Sequence, residues 1–463
     1  MITFLPLLAV FTVTAGLSDS QVLQRAANGT ATPVVSGTTD GPGRLQCRIN
    51  GGNWGEVATV AAGRWSATLP TLSTGGPHAV QLRVADTSGA STGEKAFRDI
   101  YVGDLWILAG QSNMVGRARI GEPYARDPRV RMLALDGVWQ PATHPLHEEP
   151  LPPGVTRPGH GPGLEFGVEL ARALNVPVGL IICAKGGTSM AQWSPDLGGS
   201  GRAALYANLL AQVRLAGGRV TGALWYQGEN DTGPELSAVY AAKFKEFVAR
   251  LRADLKHPDL PFCYAQLARF ANEPEKFYSQ WSVVREAQRL AEPAIPHARL
   301  VATVDLENGD YIHLSRVSQD RLGRRFALAA QGKAGPRLID ARWTSPTEVR
   351  VRLTGVNGGL VTAGGRMLGF EAAAPDGRAK LLFFRAVFDP ATSEVVLSAN
   401  RDVAGRPEPE AIDLWYGRGH DPICNVTDTL DLALPAFGPV RLPPRPPLPP
   451  KVKSSPAAPP TSR

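Results

Sequence analysis

The sequence predicts an α/β protein: a parallel five-stranded sheet with helices on both faces, flanked by N- and C-terminal β-sandwich-like domains. Three observations predict it. Five apolar runs alternate with amphipathic segments between residues 101 and 332. Short alternating segments separated by turn clusters fill 20–100, and β-rich segments with glycine turns return from about 333. A chain of 463 residues is also too long for one compact core.

Residues 1–19 open with an apolar run from Ile2 to Val13, followed by Thr14-Ala15-Gly16. This reads as a secretory signal cleaved near Ala15, with a secreted or periplasmic destination; a buried first strand is the alternative. The run is too short for a membrane span, and no later segment approaches ~20 apolar residues, so no membrane insertion is expected. In 20–100, Leu45–Ile49, Trp65–Leu69 and Ala79–Val84 alternate, with Gly51-Gly52-Asn53 and Gly75-Gly76-Pro77 between them. Short strands with regular turns and no helical period suggest a small β-sandwich.

The central five runs are Leu105–Ala109, Val178–Ala184, Gly222–Tyr226, Pro261–Leu267 and Leu300–Val304. The clearest helix between them is Leu236–Leu255, with Val239, Tyr240, Phe244, Phe247, Val248 and Leu251 on one stripe. Strands apolar on both faces imply a parallel sheet covered on both sides. In such sheets the working site lies at the carboxyl ends of the strands. From 333 to 440, Val349–Leu353, Leu381–Phe384, Glu394–Leu397 and Ile412–Tyr416 form the second β-domain. The Pro-rich tail 441–463 cannot build a core and is expected to be disordered or extended.

Composition excludes several functions. The formal net charge is +7, but Arg441, Arg445, Lys451, Lys453 and Arg463 in the acid-free tail supply five of those charges. The remainder is nearly neutral with no basic stripe, so no nucleic-acid partner is expected. Cys47, Cys183, Cys263 and Cys424 are far apart with no CxxC pair, and Cys183 and Cys263 read as small buried hydrophobes. His147-Glu148 lacks the second histidine of a metalloprotease motif. No metal and no cofactor are expected.

Four short segments carry chemistry. Asp104 to Met114 runs an apolar strand into Gly110 and places Ser112 two residues beyond, where a strand-to-helix turn lets a hydroxyl protrude. Helix capping is the competing use of that serine. Asp310-Tyr-Ile-His313 sets a carboxylate within reach of one imidazole nitrogen, leaving the other for Ser112, the division of labour a triad requires. Asp305 is a rival acid. Lys185-Gly-Gly-Thr188 offers backbone N–H groups from Gly186 or Gly187, and Asn230 in Gly228-Glu-Asn-Asp231 offers an amide donor for an oxyanion.

These residues resemble the SGNH (GDSL-like) hydrolases, a flavodoxin-like fold named for Ser, Gly, Asn and His in four blocks. The blocks match Ser112, Gly186 or its neighbour Gly187, Asn230 and His313, with Asp310 in the family's D-x-x-H. More narrowly, the chain is similar to the sialate O-acetylesterase and acetylxylan esterase branch. Gly110-Gln-Ser-Asn-Met114, Gly186-Gly-Thr-Ser189 with Trp193, and Trp225-Tyr-Gln-Gly-Glu229 carry that likeness. Gly161–Gly167, Arg285-Glu-Ala-Gln288, Val22-Leu-Gln-Arg25, Gly63-Arg-Trp65, Trp415-Tyr-Gly417 and Pro422–Asn425 extend it over most of residues 20–440. Two positions depart: Leu314 stands where many sialate esterases carry proline, which leans toward the acetylxylan side, and Asn230 where many members carry serine. The second departure implies an oxyanion role shared with Gln227.

The resemblance implies a serine esterase that removes O-acetyl groups from carbohydrate through an acetyl-enzyme, with Ser112, Asp310 and His313 catalytic. Trp193 is the candidate for sugar stacking and Arg117 or Arg285 for a substrate carboxylate. Two alternatives are a lipase or phospholipase of the same superfamily and a non-catalytic glycan-binding protein with a degenerate hydrolase domain. The identity of the acetylated sugar is left open.

Overall fold

The computed structural model describes residues 11–86, 89–121, 127–147, 159–199, 204–271, 278–375, 380–399 and 412–446. The first ten residues of the expected signal and residues 447–463 of the expected tail lie outside this set. All five apolar runs form strands, but the parallel part of the sheet has six strands, not five. Together with one antiparallel edge strand, β3, the sheet comprises β1 (Ser91–Gly110), β2 (Val130–Leu133), β3 (Trp139–Pro141), β4 (Val178–Ile182), β5 (Gly222–Tyr226), β6 (Phe262–Ala265) and β7 (Ala298–Val301). Their spatial order is β3-β2-β4-β1-β5-β6-β7, parallel throughout except for the antiparallel edge strand β3.

The missed strand is β2. It is short and interrupted by Arg131, which is nevertheless buried and donates to the Tyr101 hydroxyl at 3.0 Å while its guanidinium covers that ring. Every residue of β4, β5 and β6 is buried, as strands covered on both faces must be. The cover comes from α2 (Gly163–Leu174), α3 (Leu205–Leu215), α4 (Pro234–Asp254), α5 (Tyr278–Ala294) and α6 (Arg316–Ala330); a one-turn α1 (Ser112–Val115) follows β1. Helix α2 packs on α6, and α4 on α5. The buried stripe of α4 is Tyr240, Phe244, Phe247, Val248 and Leu251, whereas Val239, expected on it, is 42% exposed. Among the described residues no helix is long and apolar enough to cross a membrane.

The expected domain boundary at 100/101 falls inside β1. Its first half pairs antiparallel with Gly75–Ala85, and its second half pairs with β4 and β5. The N-terminal β unit thus shares a strand with the central sheet. At the junction, Arg25 forks onto Asp104, with both N–O distances 2.8 Å. Two sheets of that unit supply one core, including Val35, Trp65, Leu45, Leu82 and Phe97. Phe11–Ala15, within the expected signal, pairs with Val34–Thr39, and Phe11 stacks on Trp65. After α6 the chain returns to strand at Arg337, and two four-stranded antiparallel sheets share a further core around Trp343, Val351, Leu397 and Tyr416. The last strand, Phe437–Leu442, runs past the expected boundary at 440, and Arg445 donates to Pro346 O at 2.6 Å. All four cysteines are buried and free.

A buried arginine joins the C-terminal part to the central sheet. Arg325 on α6 is 1% exposed and meets Asp305 at 2.7 Å and Asp431 at 3.1 Å. Asp305, the rival triad acid, is therefore committed to an ion pair, with Arg321 as a second partner. Removing one member of a buried pair leaves the other uncompensated, at a cost of about 3–5 kcal/mol. Arg325→Met is accordingly expected to lower the free energy of urea unfolding by that amount, and a loss below about 1 kcal/mol would show that Arg321 suffices.

Candidate active site

The site is assembled at the carboxyl ends of β1, β4 and β5 and in the loop before α6. Ser112 opens α1, directly after β1. Gly110 makes this turn possible. Its φ is 127°, and a Cβ there would lie 2.1 Å from Tyr226 O, a backbone atom that cannot yield. Gln111 N then donates to the same carbonyl at 2.7 Å. The turn that carries Ser112 is pressed against the neighbouring strand.

The structure brings Ser112, His313 and Asp310 together. His313 Nε2 lies 3.0 Å from Ser112 Oγ, and its Nδ1 lies 2.7 Å from Asp310 Oδ2. Asp310 Oδ1 accepts from the backbone N–H groups of Ile312 and His313 at 2.8 and 2.7 Å. Partial burial pushes the Asp310 carboxyl up, but these donors and the imidazole outweigh it and hold the group below the usual carboxylate range. The loop itself is a tight hairpin: Gly309 N donates to His313 O at 2.7 Å and Ser315 N to Glu307 O at 2.9 Å. Ser315 then caps α6 by accepting from Ser318 N.

On one side of Ser112 lies Gly186, where a Cβ would sit 3.7 Å from Ser112 Cβ and 2.6 Å from Arg117 Nη2. A Cβ at Gly187 would meet nothing within 4 Å, so of the two glycines Gly186 is the one against Ser112. On the other side, Asn230 is exposed; its Oδ1 accepts from Gln111 Nε2 at 3.0 Å and its Nδ2 approaches Gly187 O at 3.4 Å. Arg117, half-buried beside Gly186, belongs to this cluster.

Three expectations are corrected. Gln227 is no oxyanion donor: it is fully buried, and its amide nitrogen donates to Asp231 at 2.5 Å, Thr188 O at 3.0 Å and Gln111 Oε1 at 3.3 Å. Trp193 cannot stack on sugar, being 0% exposed. It packs edge-on to Trp225 and Phe247 and donates to Thr188 Oγ1 at 3.0 Å. Arg285 is 1% exposed and donates to the carbonyls of Leu267, Ala268 and Gly419 at 2.9, 2.6 and 2.6 Å. Burial pushes its guanidinium down to about 10, so it stays charged at neutral pH, as a tie between the β6 loop and the C-terminal segment rather than a substrate ligand.

Sequence reasoning missed the polar residues that brace the site: Gln111, Asn113, Glu229 and Asp231. The available signal was their position, since amides and carboxylates flanking a buried turn must find partners. Asp231 accepts from Met190 N at 2.9 Å, joining the β4 and β5 loops. Burial pushes Glu229 up to about 7, and its Oε1 accepts from Asn113 Nδ2 at 2.8 Å. Among the described residues no three His, Cys, Asp or Glu side chains are grouped to hold a metal ion.

Comparison with known proteins places this geometry in context. Residues 102–332 match the family described as carbohydrate esterase, sialic acid-specific acetylesterase. A probable carbohydrate esterase of Arabidopsis thaliana, At4g34215, is 28% identical over 250 residues, which are 49% of this chain and 89% of that protein. The crystal structure of XAC1771, a carbohydrate acetylesterase from Xanthomonas citri, is 24% identical and superposes with a TM-score of 0.69, covering 92% of this chain and 99% of that one. That superposition establishes a shared fold. The site geometry yields its own test at Gly110. Gly110→Ala is expected to destabilise by more than about 1 kcal/mol. It should also slow turnover about 100-fold, the scale of a ~1 Å displacement of the nucleophile. Wild-type kinetics in this variant would disprove the close approach.

Proposed function

We propose a mechanism for this chain from one premise: through residues 102–332 it belongs to the carbohydrate esterase, sialic acid-specific acetylesterase family, and it is a carboxylic ester hydrolase that removes O-acetyl groups from carbohydrate. Ser112 Oγ attacks the acetyl carbonyl while His313 Nε2 takes its proton across the 3.0 Å hydrogen bond. Asp310 fixes the tautomer and stabilises the imidazolium. The tetrahedral oxyanion is held by the N–H groups of Ser112 and Gly186 and by the Asn230 amide; each such donor is worth about 3–4 kcal/mol. His313 returns the proton to the departing sugar oxygen, leaving acetyl-Ser112. It then takes a proton from water as that water attacks the acetyl carbonyl, and passes the proton to Ser112 Oγ, so that acetate leaves and the hydroxyl is restored.

The observation that carries this reading is the continuous Asp310–His313–Ser112 chain with contacts of 2.7 and 3.0 Å. A non-catalytic glycan binder has no need of it. A lipase would want an apolar acyl pocket, yet Trp193, Trp225 and Tyr226 are all sealed in the core. For the sugar, Arg117 beside Gly186 supports an acidic substrate, because a guanidinium can fork onto a carboxylate. The test is acetate release from O-acetylated sialic acid and from acetylated xylan, side by side. Release is expected from the sialate, lost in Ser112→Ala with the fold retained and weakened mainly in KM by Arg117→Ala. Full activity of Ser112→Ala would discard the nucleophile, and preference for xylan would discard the acidic sugar.

We also propose export directed by residues 1–19. Cleavage near Ala15 would remove Phe11–Ala15 and expose the Trp65 face it covers. The N-terminal mass of protein recovered outside the cytoplasm decides this: a start at Gly16 is expected, and an intact Met1 would favour the strand.

A further inference from the structure

The geometry points to Asn113 and Glu229 as positioning residues that hold His313 on Ser112. This inference rests on the Ser112–His313 reading and adds a device to it. Asn113, next in sequence to the nucleophile, is 0% exposed. Its Oδ1 accepts from Leu314 N at 3.0 Å, and its Nδ2 donates to Ile312 O at 3.3 Å. One amide therefore grips the backbone on both sides of His313, from the residue beside Ser112. The catalytic pair is tied twice: directly through its side chains, and again through this clamp behind them.

The clamp works in one orientation of the amide. Turned over, it would set its oxygen against Ile312 O and its NH₂ against the Leu314 N–H, losing both bonds. Glu229 reinforces the productive orientation. Its Oε1 accepts from Asn113 Nδ2 at 2.8 Å, the shortest of the three contacts. Glu229 is 7% exposed and follows β5 directly, in the turn that also carries Asn230. Gln319 on α6 completes the cluster by donating to Asn113 O at 3.3 Å. The clamp thus links the ends of β1 and β5, the His313 loop and α6. Neither residue reaches the reacting atoms, so the effect is expected in the rate of chemistry rather than in substrate affinity.

Isosteric variants test this with folding preserved. Asn113→Asp sets two carboxylates against each other and removes the donor to Ile312 O. It should lower kcat on a small acetyl ester about 100-fold, the scale of a slight misplacement, and leave KM within about twofold. Glu229→Gln alone keeps an acceptor for Asn113 and should stay within about fivefold of wild type. Combined, the Gln amide can donate to the new carboxylate, and at least about tenfold of the loss should return, since residues in contact couple while independent ones add. Glu229→Leu, folded by circular dichroism, should lose kcat like Asn113→Asp. A double variant no better than Asn113→Asp, or a folded Glu229→Leu within about threefold of wild type, would overturn the inference. Ser112→Ala separates the two levels. Inactivity there with an unaffected Glu229→Leu sinks the clamp alone, whereas activity there sinks the triad assignment itself.

Discussion

The site depends on the close approach of Gly110 to the neighbouring strand. No side chain can occupy this position, because Tyr226 O stands where a Cβ would be. The turn that follows is consequently forced out at the top of the sheet, with Ser112 at its tip. Strand β1 lies between β4 and β5, so the loops after those two strands necessarily flank Ser112. Gly186 is delivered on one side and Glu229 with Asn230 on the other. The position of β1 is set from below as well, because its first half is locked into the N-terminal β unit over Ser91 to Val102. A single continuous strand thus carries the packing of one unit into the geometry of another's nucleophile.

What could be read from the sequence was local. The Asp310–His313 pair is legible because three residues of loop bring a carboxylate to an imidazole whatever surrounds them, and Ser112 because a glycine after an apolar strand announces a turn. The strands of the central sheet are legible because burial on both faces removes polar residues from them. Where that rule is broken, at Arg131, the strand was missed. Contacts between distant residues left no such trace. Asn113 meets Glu229 and Leu314 across 116 and 201 residues of sequence. Trp193 shows the converse failure. An indole near a sugar-binding motif has the right chemistry for stacking, but residue type does not reveal which way it points, and this one points into Trp225 and Phe247.

Buried charge is used structurally in two different ways. Arg325 is matched by carboxylates, Asp305 and Asp431, and the pair joins α6 to the C-terminal segment. Arg285 meets carbonyl oxygens instead, from the β6 loop and from Gly419. A guanidinium can be held this way because its donors are spread over a plane, and several carbonyl dipoles together replace its hydration. Both arrangements draw the return of the chain against the elements that carry His313 and the sheet. Neither arginine is therefore available to a ligand.

The polar groups around Ser112 divide into those that can meet substrate and those already spent. Gln227, Asp231 and Gln111 bond to one another and to the backbone of the β4 and β5 loops, with Gln227 Oε1 buried and unpartnered. Gln111 alone touches both layers, since its Oε1 accepts from Gln227 and its Nε2 donates to Asn230 Oδ1. That last bond fixes which end of the Asn230 amide is oxygen, and the NH₂ end then approaches Gly187 O at 3.4 Å. A donor oriented before substrate arrives does not have to reorganise as the oxyanion forms, and this is where electrostatic catalysis gains its advantage over water. The buried amides behind the site thus hold the orientation of the exposed Asn230 amide at its surface. Their bonds to one another and to the β4 and β5 loops are what keep that amide in place.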